Sequence, residues 1–256
     1  MIRYQMMDKS NILSRCLHGG PVPIDKMEIQ IPELRSHYPL DKTEIQIPQG
    51  MVKQFLLKIC KLYGSCAVLA YDDENVVGLL RFYPKVVLDL LDDNAGFRLD
   101  CVCIQQRKSM KKIIDSLEKF PSIDSSFNKT IEIECFQVVS HYHKGEAKDY
   151  GSMGISNNML KELIEWAKLN DWDKIMARAI NHITPLLLWA GMYSIKRYKN
   201  MGFRIVNEDI DTGLREGVIS QRNGSHGKQI QGMWKEYNHV SNDEAARIFS
   251  VELSLR

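Results

Sequence analysis

Charge of one sign is what this chain most conspicuously lacks. Across 256 residues, Lys plus Arg number 34 and Asp plus Glu 32, a balance of only +2, with no block of like charges. Binding to a phosphate backbone needs concentrated cations, so nucleic acid is not expected as a main partner. No apolar run approaches the roughly 18 residues that cross a bilayer. The N-terminal MIRYQMMDKSNILSRCLHGG has no signal-peptide apolar core. A soluble, cytoplasmic protein with no membrane partner is the expectation. The six cysteines (Cys16, Cys60, Cys66, Cys101, Cys103 and Cys135) contain no C-x-x-C pair and read as reduced core thiols. Cys101 and Cys103, two apart, would share a strand face; small apolar side chains is the plainer reading. His141 and His143 flank Tyr142 with no third ligand of matching spacing, so no metal is expected. With 44% hydrophobic residues, the chain is not disordered as a whole and can bury the core of one large domain or one and a half.

The most informative stretch is 131–169. Ile131, Ile133, Cys135, Phe136, Val138 and Val139 form a strand-like run, a polar loop follows, and Gly151, Ser152 and Gly154 open a helical segment. In that segment Ile155, Met159, Leu163 and Ala167 recur every four residues beside Leu160 and Ile164, while Asn157, Asn158, Lys161, Glu162, Glu165 and Lys168 take the other side. The pattern predicts strand, loop and amphipathic helix. A glycine-rich first turn leaves backbone N–H groups bare at the positive end of the helix dipole, a candidate anion cradle.

Along the rest of the chain, residues 1–50 repeat EIQIP at 28–32 and 44–48, which fits two short strands each ended by proline. MVKQFLLKICKLY at 51–63 puts Val52, Phe55, Leu56, Ile59, Cys60 and Tyr63 on one face and predicts a helix stopped at Gly64. Two apolar runs joined at Asp72, Asp73, Glu74 and Asn75 predict a β-hairpin. Residues 84–130 are longer than a simple connection; they hold a strand-like GFRLDCVCIQ, a helical SMKKIIDSLEKF and a polar SSFNK loop. A strand is expected at 172–180, a helix at 186–200 and a strand in MGFRIVNE. A β-hairpin is expected from REGVISQ and QGMWKEY around the RNGSHG turn. DEAARIFSVELSLR fits helix or strand.

DYGSMGIS at 149–156 aligns without gaps on the DYRGKGIG type of loop of GNAT-family N-acetyltransferases, and YKNMGF at 198–203 resembles the Y-E-K-L-G-F ending common in that family. The two signatures stand in the family's order, and helix, hairpin with V-V-G-L-L, and strand match the first half of its fold. The resemblance implies an α/β (α+β) GNAT fold, a central mixed, mostly antiparallel sheet flanked by helices. It implies a GNAT domain at 51–240 with an insertion at about 84–130, an N-terminal extension at 1–50 and a C-terminal extension at 241–256. It also implies acetyl-coenzyme A as co-substrate and an acceptor that is a primary amine of a small molecule or protein; a homodimer is left open. In the family Q/R-x-x-G-x-G/A holds the pyrophosphate, which maps onto Gly151, Ser152, Met153, Gly154, Ile155 and Ser156. Here Gly151 replaces the Gln or Arg, removing a side chain and keeping the backbone donors. The pantetheine arm would run along Phe136, Val138 and Val139, and the N–H groups of Val138 and Val139 could polarise the thioester carbonyl. Asn181 matches a coenzyme-contacting Asn by location, or simply starts a turn before Pro185. Tyr198 would be the acid that protonates the departing thiolate, since a phenol near pKa 10 is protonated at pH 7; a structural Tyr is the other reading. Glu132 lies where some members place a catalytic base and Glu134 is two residues on; alternating Glu on a strand also marks a solvated face. Asn181 and Tyr198 are further apart than in many relatives, so HITPLLLWAGMYS looks inserted, as pocket wall, lid or core. A non-catalytic acyl-coenzyme A sensor is the alternative function. A Rossmann-type binder fails on order, because a hairpin and another helix precede the glycine loop.

Overall fold

A computed structural model describes residues 1–17, 20–27, 50–91, 129–139, 150–190, 192–225 and 227–256. The chain forms two compact units, one from the described residues up to Asp173 and one from Lys174–Arg256.

The first unit contains β1 (Ile2–Met6), β2 (Val22–Pro23), α1 (Met51–Tyr63), β3 (Ala67–Asp72), β4 (Asn75–Pro84), α2 (Lys85–Leu91), β5 (Thr130–Val138) and α3 (Ile155–Leu169). Its strands pair antiparallel in the order β1-β3-β4-β5, and β2 adds to β4 at Val76 and Asn75. The expected face of α1 is the buried one: Val52, Phe55, Leu56, Ile59, Cys60 and Tyr63 are all covered. Gly64 stops the helix at φ 86°, its N–H donating to the Cys60 carbonyl. The hairpin turns at Asp73, which takes φ 50°, a left-handed conformation that Asp tolerates. Tyr83 meets Phe55 of α1 at 5.7 Å, whereas its neighbour Phe82 meets Trp166 of α3 at 5.4 Å. Successive strand residues point to opposite faces, so the two helices cover the two sides of this sheet. On α3, Ile155, Met159, Leu160, Leu163 and Ala167 are buried as the periodicity requires; Ile164 is only half-buried.

The second unit contains β6 (Lys174–Ile180), α4 (Thr184–Trp189), β7 (Tyr193–Ser194), α5 (Ile195–Asn200), β8 (Arg204–Ile210), α6 (Thr212–Arg222), α7 (Lys228–Met233), α8 (Asn242–Ala245) and β9 (Arg247–Ser254). Strand β9 lies between β6 and β8 and is antiparallel to both, while β7 pairs parallel with the end of β6. The expected class holds: a mixed, mostly antiparallel sheet flanked by helices. Leu186, Leu214, Val218, Trp234, Ala246 and Ile248 share an apolar cluster beside the sheet.

Three expectations need correction. The single helix at 186–200 is two, α4 and α5, broken by β7; Ser194 ends that strand and caps α5, accepting the Arg197 N–H at 3.4 Å. The hairpin expected after 213 is helical instead, α6 and α7 followed by a 3₁₀ turn at Trp234–Tyr237. Asp211 starts α6 by accepting the Leu214 N–H at 2.7 Å, and the buried Leu214, Gly217, Val218 and Gln221 recur at helical spacing. The ambiguous tail is both, a turn of helix and then β9. The EIQIP strands, the strand and helix expected within 84–130, Cys101, Cys103, the 141–143 histidine loop and Asp149 lie outside the described residues.

Candidate functional site

The site is built on the junction of β4, β5 and α3. Gly78 of β4 pairs with Val138 near the end of β5. A Cβ on Gly78 would lie 2.9 Å from both Ala70 Cβ and Ile155 Cγ2 and 3.2 Å from Met159 Sδ. Only glycine lets the start of α3 approach the sheet this closely. Ahead of α3, Tyr150–Ser152 form a 3₁₀ turn and Gly154 is the helix N-cap at φ 69° and ψ 15°. A Cβ at Gly154 would meet nothing within 4 Å, so backbone conformation rather than space calls for glycine there. This cap lends no side chain to the first-turn N–H groups, and that turn carries no acidic residue to occupy the positive end of the dipole. Gly151, Ser152, Met153 and Gly154 are exposed, Ser156 is half-buried and Ile155 is buried under the helix.

The loop is anchored by Tyr150, 6% exposed, whose hydroxyl donates to Asp72 Oδ2 at 2.9 Å. Asp72 ends β3, so the bond ties the loop to the hairpin turn. Further along α3, the Asn158 amide donates to the Tyr4 hydroxyl of β1 at 3.1 Å.

Strand register decides which β5 amides can serve a ligand. Val139 donates its N–H to the Val77 carbonyl at 3.0 Å, so it is engaged in the ladder and is not the thioester-polarising donor expected of it. The same bond makes Val138 and Gly78 a pair that exchanges no hydrogen bonds, as two residues earlier are Phe136 and Leu80. The N–H groups of Val138 and Phe136 therefore point away from β4. Nearer the start of β5, Arg81 pairs with Cys135 and Phe82 with Ile133, leaving Glu134 as the extra residue of a bulge. Glu132, opposite Tyr83, and Glu134 are both half-buried. Burial pushes the Tyr83 phenol well up, with Glu134 adding to the effect and the guanidinium of Arg81 opposing it. Arg81 is itself buried and donates from Nη2 to the Leu13 carbonyl at 3.0 Å.

The remaining candidates lie in the second unit. Asn181 follows β6 and its Nδ2 donates to the Glu244 carbonyl at 2.8 Å, fixing the turn that leads into β9. Tyr198, 1% exposed, packs its ring against Tyr193 at 5.2 Å and Phe203 at 4.8 Å. Its carbonyl accepts the N–H groups of Met201 and Phe203, so the Y-x-x-x-G-F segment closes the end of α5. HITPLLLWAGMYS becomes α4 and β7, with Leu186 fully buried and Leu188 43% exposed. Asp72, Gly78 and Tyr150 carry weight that the residue pattern did not assign to them. Gly78 sits in the noticed V-V-G-L-L, yet its contact with α3 depends on a fold closing over 77 residues of chain.

Among the described residues no cluster of His, Cys, Asp or Glu is arranged to hold a metal, and no helix is long and apolar enough to cross a membrane. No protein-family model and no curated protein matches the chain. Solved structures do. A GNAT-family acetyltransferase from Streptococcus pneumoniae is 9% identical over 99% of each chain, with a TM-score of 0.45. Arylalkylamine N-acetyltransferase 2 from Aedes aegypti is 13% identical over 100% of this chain and 99% of that one, at 0.43. A GNAT-family acetyltransferase from Elizabethkingia anophelis with acetyl-CoA bound is 13% identical over 99% and 97%, at 0.37. These acetyltransferases are what the chain is similar to, and its own features are a hairpin leading to a bulged β5, a glycine-led α3 seated on Gly78, and a last strand inserted between β6 and β8.

Proposed function

We propose that the chain is an N-acetyltransferase that moves an acetyl group from acetyl-coenzyme A to a primary amine of a small molecule or protein. The observation that carries the reading is the glycine-led N-terminus of α3, drawn against β4 at Gly78 beside the end of β5. On this reading the backbone of Gly151, Ser152, Met153, Gly154, Ile155 and Ser156 takes the pyrophosphate, where donors and dipole favour an anion. The pantetheine arm lies along the end of β5 at Phe136 and Val138, with the Val138 N–H as its donor and Val139 holding the strand end in place, and Asn181 belongs to the coenzyme site. The amine nitrogen attacks the thioester carbonyl, the carbon–sulfur bond breaks, and the thiolate takes a proton from Tyr198. Glu132 or Glu134 removes the proton that the amine must lose.

A second reading is a domain that binds acyl-coenzyme A without turnover. Two observations favour it: Tyr198 is packed as a core ring, and Gly151 lacks the family's Gln or Arg side chain. Turnover separates the two. The full chain is mixed with acetyl-coenzyme A and a panel of amines, and free thiol is followed. Thiol release is expected, falling roughly 100-fold in Tyr198→Phe, the scale of a lost general acid, with coenzyme A affinity retained. Binding without thiol from any amine establishes the non-catalytic reading; absence of binding at millimolar coenzyme A removes both.

A further inference from the structure

We propose that Tyr150 and Asp72 are positioning residues for the pyrophosphate, acting through the backbone of the cradle they hold; the inference rests on the coenzyme reading above. A backbone cradle works only if its N–H groups keep their directions, because no side chain can swing to correct them. Helix α3 is held on the sheet by Ile155 and Met159 against Gly78. The turn before it is presented to solvent: Gly151, Ser152, Met153 and Gly154 are all exposed, and two of the four are glycine. Tyr150 is the buried member of that turn. Its carbonyl accepts the Met153 N–H at 3.3 Å, which sets the 3₁₀ turn, and its hydroxyl donates to Asp72 Oδ2 at 2.9 Å. Asp72 in turn is fixed by strand pairing, opposite Ile2 on one side and Asn75 on the other.

The phenol–carboxylate bond is thus a clamp, 78 residues apart in sequence, between the cradle and the paired end of β3. A hydrogen bond to a carboxylate is among the stronger ones, and burial keeps water from replacing it. The Tyr150 hydroxyl is also spoken for: its proton lies toward Asp72, so it acts on the phosphate through the backbone.

The test measures dissociation constants of the full chain for coenzyme A and for pantetheine, which lacks the pyrophosphate, with pantetheine taken to tens of millimolar. Tyr150→Phe should weaken coenzyme A about tenfold, the scale of a lost hydrogen bond to a charged group, and leave pantetheine unchanged. Asp72→Asn keeps an acceptor oxygen and should stay within about threefold of the wild type. Equal weakening of both ligands, or no change in either, overturns the clamp while the coenzyme reading stands. A wild-type chain that binds neither ligand overturns the coenzyme reading itself. If Tyr150→Phe does not fold, Asp72→Asn and Asp72→Ala decide: the proposal requires the alanine variant, and not the asparagine, to lose coenzyme A selectively.

Discussion

At the scale of single residues, the strongest constraint on the site is an absence of atoms. Gly78 has an ordinary strand conformation and needs no glycine for its backbone; it needs one because Ala70 and Ile155 occupy the space a Cβ would take, each at 2.9 Å. Neither neighbour is the free end of a long flexible chain, so relief requires α3 or β3 to move. Gly78→Ala is expected to destabilise the protein by about 1–3 kcal/mol, the usual cost of overpacking, and to weaken coenzyme A as the start of α3 lifts. Urea unfolding of the variant beside the wild type checks the first part; a change below about 0.5 kcal/mol would show that the contact relaxes freely. The six apolar residues of α1 were legible because a helical stripe needs only its own sequence. The direction of the Val138 N–H was not, since it depends on the register between β4 and β5 and on the bulge at Glu134.

At the scale of elements, local signals and packing part company in the second unit. REGVISQ has the β-branched residues of a strand, yet Asp211 caps it as helix, and Gln221 on its buried face accepts the Trp234 indole N–H at 3.0 Å. The partner that makes the helical face worth burying lies 13 residues on, beyond any local pattern. The strands of this unit are tied by charge as well as by backbone: Glu252 of β9 sits between Arg204 of β8 at 2.5 Å and Lys174 of β6 at 3.7 Å. The hydrogen bond from Arg204 holds the Glu252 carboxyl below the usual carboxylate range, against the opposing effect of burial and with help from Lys174. A carboxyl depressed on folding stabilises the protein above its unfolded value, near 4.3, and that contribution is lost as pH falls through the lower folded value. With Arg204 74% exposed, the contribution is at most about 1 kcal/mol. Comparing Glu252→Gln with the wild type by urea unfolding, the variant should be less stable at neutral pH and level with the wild type in strong acid. A gap that persists unchanged into acid would assign the loss to packing.

At the scale of the whole molecule, the order of elements from α1 to β4 and from β5 to β6 follows the sequence closely because hairpin turns, glycine stops and apolar stripes are local. The place of β9 does not: the final strand enters between β6 and β8, and only pairing across 68 to 80 residues of chain, Ile180 with Ile248 through Lys174 with Ser254, reveals it. The candidate site divides in the same way. Gly151 and Gly154 announce a cradle in the sequence, whereas Asp72 and Gly78, which set it, belong to a hairpin that looks purely structural. A ligand held by such a cradle must stabilise the folded chain by mass action, whatever the acceptor and whether or not turnover occurs. Coenzyme A at 100 times its dissociation constant adds about 2.7 kcal/mol, and at 2–4 °C per kcal/mol for a chain of this size the melting temperature should rise by roughly 5–10 °C. On the proposed reading the cradle acts on the pyrophosphate, so pantetheine at the same concentration should give much less, and added salt should diminish the coenzyme's effect by screening the phosphates. Differential scanning calorimetry measures all three. Equal shifts from coenzyme A and pantetheine would move the binding energy to the β5 strand end and away from the glycine turn, and no shift at millimolar coenzyme A would leave the fold without the ligand its cradle implies.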